Sequence, residues 1–194
     1  TCRKKEFQNV VDIDLKCTVN YDFNGGTDAE GRTHCTVNYS LTEHHRPNTI
    51  AGAAVKRRGH VLTGWNTRPD GNGEHIGLGS RVTVRDGKEI TLYAEWKKSI
   101  DGGQFLYRQA ADGTLALTGY RGRGDIEPFV IPSEIDGKAV SEISSSFTTN
   151  MPCGELTSQT LVLPDSIRFV KSNSFLRSSF SELYFSDNIE DIDE

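Results

Sequence analysis

Apolar and polar side chains alternate over residues 17–23 and again over 35–41, and both runs open with the same five residues, Cys-Thr-Val-Asn-Tyr. A period of two predicts strands that bury one face each. Asn24-Gly25-Gly26 follows the first run and supplies turn chemistry, because Asn and Gly accept the positive φ of tight turns. Further strands are predicted at 60–65, 81–84 and 90–96, with the glycine-rich run Asp70-Gly71-Asn72-Gly73 after the first of these. The stretch 50–57 predicts two helical turns, weakened by Gly52. Short strands with glycine turns make a small β-rich domain over 17–97, preceded by an N-terminal segment, 1–16. Beyond Trp96 the chain turns polar and loses periodicity around Gly102-Gly103, which predicts a linker at 98–104.

The second half, 105–194, repeats itself. Leu161, Leu163, Ile167 and Val170 return 22 positions later as Leu183, Phe185, Ile189 and Ile192, and Asp165 returns as Asp187. An earlier copy pairs Phe129-Val130-Ile131-Pro132 with Leu161-Val162-Leu163-Pro164, then Val140 and Ile143 with Ile167 and Val170 after a five-residue insertion. Phe147 and Phe175 close the two units. A strand plus an irregular return cannot bury its apolar edge alone, so units of this kind stack and share one core, which predicts a solenoid. The third copy stops before its partner for Phe175, leaving an uncapped apolar edge, and the expectation is that the intact protein continues.

Composition narrows the class. Of 194 residues, 35% are hydrophobic and 25% charged, with 19 glycines, which excludes a disordered chain. No stretch approaches the roughly 18 apolar residues of a membrane span, and the first residues are polar and basic with no apolar signal core behind them. The net charge of −5 argues against a general nucleic-acid binder. It is uneven, +2 over 1–97 and −7 over 98–194, which again suggests two units. Cys2, Cys17, Cys35 and Cys153 are spaced too widely for a zinc ribbon. If 17–23 and 35–41 form an antiparallel hairpin, Cys17 and Cys35 lie at opposite ends, roughly 20 Å apart and beyond disulfide reach.

Four motifs occur in order in the first half: Val19-Asn20-Tyr21-Asp22-Phe23-Asn24-Gly25-Gly26, Gly64-Trp65-Asn66-Thr67, Asp70-Gly71-Asn72-Gly73, and Thr91-Leu92-Tyr93-Ala94-Glu95-Trp96. In that spacing the segment resembles the internalin B-repeat (Listeria-Bacteroides repeat) family, which implies a small β-grasp-like module of a bacterial surface protein. The second half, with Leu117-Thr118-Gly119-Tyr120, Ile131-Pro132-Ser133-Glu134-Ile135-Asp136-Gly137-Lys138 and Leu163-Pro164-Asp165-Ser166-Ile167, is similar to BspA-type leucine-rich repeats. Both resemblances imply an extracellular place on a bacterial cell, within modular proteins used for adhesion or host contact, and neither implies catalysis or a cofactor.

Several residues invite sharper chemistry. Arg123-Gly124-Asp125 spells the tripeptide that integrins recognise, but it sits where a glycine-rich turn is needed anyway. Asp70, Asn72 and Glu74 alternate like the start of a calcium loop, yet His75 stands at its sixth position and Arg81 at its twelfth, which favours a hairpin turn over a metal. His44 and His45 are adjacent and read as a solvated loop rather than zinc ligands. Tyr21, Trp65, Tyr93 and Trp96 fall on predicted strands and read as core rather than as a sugar-stacking platform. No serine-elbow, zincin or nucleotide-loop motif occurs.

The sequence therefore predicts a mainly β, two-domain, non-enzymatic segment that binds a host or matrix macromolecule. Side chains between the inward leucines of each strand should line an open sheet face, placing Val130, Val162 and Tyr184 in one row with Thr160 and Glu182 beside it as the binding surface. Two alternatives stand beside it: a spacer within a large surface protein, and an accessory region of a glycan-degrading surface enzyme.

Overall fold

A computed structural model describes residues 16–40, 55–78, 89–145, 147–152, 154–176, 178–185 and 188–193. The chain is mainly β, with mixed sheets. The expected strand at 81–84 and His44-His45 lie outside these residues, as does most of the expected helix; its last part, 55–57, contains bridges from Lys56 to Thr27 and from Arg57 to His60. Among the described residues no helix is long and apolar enough to cross a membrane.

The first sheet contains β1 (Lys16–Asp22), β2 (His34–Ser40), β3 (His60–Asn66), β4 (His75–Gly77) and β5 (Glu89–Lys98), in the order β2-β1-β5-β3-β4. The β1–β5 pair is parallel and the others are antiparallel. The alternation works as expected: Val19, Tyr21 and Phe23 point into a core with Trp65, Leu92 and Ala94, while Thr18 and Asn20 face outward and bond Asn38 and Thr36 across the strand pair. Tyr21 meets Trp65 edge-on, with ring centroids 4.8 Å apart. Cys17 lies opposite Tyr39 and Cys35 opposite Tyr21, so the two cysteines sit at opposite ends of the hairpin, and Cys35 is a free thiol.

The second half contains β6 (Phe105–Gln109), β7 (Leu115–Tyr120), β8 (Phe129–Val130), β9 (Glu134–Ile135), β10 (Lys138–Ile143), β11 (Thr160–Val162), β12 (Phe169–Val170), β13 (Glu182–Tyr184) and β14 (Asp191–Ile192). Two ladders run through it, β8-β11-β13 and β7-β10-β12-β14, and every pair within them is parallel. Thr160 pairs with Glu182 and Val170 with Ile192, an offset of 22 on both ladders. One unit earlier the offsets differ, 32 for Val130 against Val162 and 27 for Ile143 against Val170. The five extra residues are absorbed by the β9–β10 hairpin, whose tip Asp136-Gly137 takes positive φ of 50° and 75°.

Between the ladders lies one apolar core that includes Leu117, Tyr120, Phe129, Ile131, Ile143, Phe147, Leu161 and Ile167. Its aromatic rings form a connected cluster: Tyr120 meets Phe129 at 4.9 Å, and the two unit-closing rings, Phe147 and Phe175, meet at 5.9 Å. Equivalent positions change environment along the ladders. Leu161, Leu163 and Val170 are buried, whereas their third-copy counterparts Leu183, Phe185 and Ile192 are exposed.

Residues 98–104, the expected linker, are anchored at several points. Ser99 donates its N–H to the Gly59 carbonyl (2.9 Å) and Ile100 to that of Val130 (3.0 Å). The Ile100 side chain belongs to the second core, and Asp101 caps a single 3-10 turn, Gly102–Gln104, packed against Ile135.

One carboxylate ties the two ends of a ladder step together. Glu127 accepts the Gln159 N–H at 2.7 Å and the Ser158 hydroxyl at 2.9 Å, so the residues leading into β8 are held to those leading into β11. Hydrogen bonding, from Thr160 foremost, holds its carboxyl below the usual carboxylate range in spite of partial desolvation. A depressed carboxyl stabilises the fold above its unfolded pKa, about 4.3, and that contribution is lost as pH falls through the folded value. Glu127→Gln is thus expected to lower the thermal midpoint at neutral pH, with the gap to wild type closing on acidification below about pH 4. Thermal scans across pH check this, and a gap of constant size would contradict it.

Candidate functional site

The row expected to form an open binding face is laid out in register but is not open. Val162 pairs with Val130 on one side and with Tyr184 on the other, so the three side chains share one face of the β8-β11-β13 ladder. Val61 of β3 lies on that face, leaving Val130 and Val162 each 1% exposed, with Tyr184 partly buried at the margin. The expectation of a free surface is corrected for Val130 and Val162: the strand pattern identified which residues face together, and the first sheet of the same chain covers them. The physical reason is the cost of leaving adjacent valines in water, about 1.5–3 kcal/mol for each side chain. Thr160 is half-buried and Glu182 exposed at the edge of the seam, with the Thr160 hydroxyl 3.4 Å from the Glu182 carboxylate.

Around this seam the first sheet contributes a polar network. The His75 Nδ1 bonds one oxygen of Glu95, while the other accepts the Asn66 side-chain N–H at 2.9 Å. The His75 ring also meets Tyr184 edge-on, at 6.3 Å between centroids. Asn66 is buried and organises the following loop: its Nδ2 also donates to the Gly71 carbonyl (3.1 Å), and its Oδ1 accepts the N–H groups of Arg68 (2.9 Å) and Gly73 (3.0 Å). Gly73 is required by close approach, since a Cβ there would collide with the Thr67 hydroxyl and the Asn66 side-chain oxygen. Asp70 accepts the Asn72 N–H at 3.0 Å, and hydrogen bonding to Asn72 holds its carboxyl low. The oxygens that suggested a calcium loop belong to this turn, and among the described residues no group of three or more His, Cys, Asp or Glu side chains converges.

A second asparagine fixes the opposite wall. Asn24, at φ 46°, donates its side-chain amide to the carbonyls of Ala94 (3.0 Å) and Pro69 (3.2 Å), joining the first turn to β5 and to the 68–71 loop. Trp96 donates its indole N–H to the Phe23 carbonyl at 2.9 Å, and its ring lies so close to Gly26 that a Cβ there would be 2.5 Å away. Between these walls is a cleft of about 290 Å³, lined by Arg57, Arg68, Glu95, Trp96, Lys97 and, from the second half, Tyr184. Its sequence signals were weak, because the bases sit far apart along the chain and β4, with three residues, is too short for a pattern to reveal.

Of the four aromatic residues expected in the core, Trp96 packs on the first core and also lines the cleft. Tyr21 and Trp65 are buried, whereas Tyr93 and Trp96 are half-buried. In the Arg123-Gly124-Asp125 turn the guanidinium and carboxylate clasp each other through two bonds of 2.9 and 2.6 Å, and the Gly124 carbonyl accepts the Thr157 N–H at 2.9 Å.

Two substitutions probe this region. Val61→Asp is expected to place a carboxylate against the valine row and release the two bodies from each other while each keeps its own core, read as shortened rotational correlation times in NMR relaxation. Asn66→Ala leaves the part-buried N–H groups of Arg68 and Gly73 without their acceptor and is expected to cost about 1 kcal/mol in urea denaturation. Compared with protein-family models, curated proteins and solved structures, the chain matches none of them.

Proposed function

We propose that the chain is a non-enzymatic interaction segment of a bacterial cell surface, in which an internalin B-repeat-like β module is clamped onto a BspA-type leucine-rich solenoid and the pair binds a host or matrix macromolecule. The parallel ladders with their 22-residue offset support the solenoid part of this reading. The observation that carries recognition is the seam cleft, in which the bases Arg57, Arg68 and Lys97 stand beside Trp96 and Tyr184 between walls already fixed by hydrogen bonds. Walls held in advance reduce the ordering cost of binding. The contact surface in this reading is the rim left open by the seam, comprising Thr160, Glu182 and Tyr184 together with the cleft.

The test is saturable binding of the 194-residue chain to host-cell surfaces and immobilised matrix at micromolar concentration. Tyr184 belongs to neither body's own core cluster, so Tyr184→Ala is expected to weaken that binding about tenfold, a difference of about 1.4 kcal/mol, with both bodies still folded. Absence of saturable binding would leave the spacer reading in its place.

A further inference from the structure

The seam cleft has a charge character opposite to that of the chain. Against a net charge of −5, three of its lining residues are bases. Among the described residues none of the three has a carboxylate within ion-pair distance; every ion pair there involves other cations. Arg57 makes one long contact, from Nη1 to the Asn24 carbonyl at 3.5 Å.

The two acids in the same lining are already engaged. Glu95 has both oxygens bonded, to His75 and Asn66, and Asp70 is turned to the Asn72 N–H. Hydrogen bonding leaves both carboxylates charged, and Arg68 acts electrostatically on Asp70, so the three bases outnumber the two acids by one and the cleft keeps a local positive excess within an acidic chain. Two aromatic rings stand with them. Trp96, whose N–H is held by Phe23, packs part of its ring on the first core and beside Gly26 and presents the remainder to the cleft, and Tyr184 enters from the second body.

We propose that this cleft binds an acidic glycan, a polysaccharide whose rings carry carboxylate or sulfate groups. The anionic substituents pair with Arg57, Arg68 and Lys97, and the apolar face of a sugar ring packs on Trp96 or Tyr184. A volume of about 290 Å³ is near the lower limit for ligand pockets, which suits a short stretch of a longer chain lying across the seam. The proposal rests on the recognition reading above and names the ligand class for the same site.

The test is titration of the intact chain with four probes of matched length: a sulfated glycosaminoglycan oligosaccharide, an unsulfated uronic-acid oligosaccharide, a neutral oligosaccharide and poly-glutamate. At least one acidic glycan is expected to bind, with affinity falling as salt rises. The double variant Arg68→Gln, Lys97→Gln is expected to lose at least about tenfold with its thermal midpoint unchanged, since both side chains are exposed. Preference between the two acidic arms assigns sulfate or carboxylate. Failure of both, an equal response to poly-glutamate, or undiminished binding by the double variant overturns the glycan assignment. If the chain still binds host surfaces after such a failure, only the ligand class is lost; if it binds neither, the recognition reading falls with it.

Discussion

The arrangement depends on one apolar seam, Val61 laid against Val130 and Val162 with Tyr184 at its margin. Each body has a core of its own, so the seam is not what folds either of them. It fixes their relation. Without it β5 would lead into a tether of a few residues; with it, the Ser99 and Ile100 backbone bonds are the continuation of an interface already closed on one side. Four residues from the two halves thereby decide where Tyr184 stands relative to Arg57, Arg68 and Lys97.

Much of this was legible in the sequence, and the boundary of legibility is physical. A period of two names the residues that share a strand face, which is why Val130, Val162 and Tyr184 were placed in one row. Periodicity carries no information about what lies on that face. Val61 occupies a strand that was also foreseen, yet nothing in the spacing of 60–65 says that one of its side chains covers a ladder a hundred residues away. The 22-residue interval was readable from the return of apolar residues, and Leu161 pairs with Leu183 and Val170 with Ile192 at that interval, although both third-copy side chains are exposed.

The cleft was the least legible part. Asn24 was visible only as a turn residue and Asn66 only as a member of the Gly64-Trp65-Asn66-Thr67 motif, and their side chains prove to be the fasteners of two loops and a strand. The change of charge sign between the halves marked two units and said nothing of where the bases of the cleft stand. The aromatics follow the core reading with one addition: Trp65 fills the core, while Trp96 packs on that core, holds the first turn through its indole N–H and also lines the cleft.

The β9–β10 hairpin separates two properties that a stacked architecture usually couples, the length of a unit and the register of its neighbours. Its extra residues are taken up in the hairpin itself; β10 carries a bulge against β7 between Val140 and Glu142, and its parallel pairing to β12 continues at an offset of 27 before the next step settles at 22. The tip at Asp136-Gly137 is consequently a place where the chain can change length, or accept a grafted epitope, without any other strand having to shift partners.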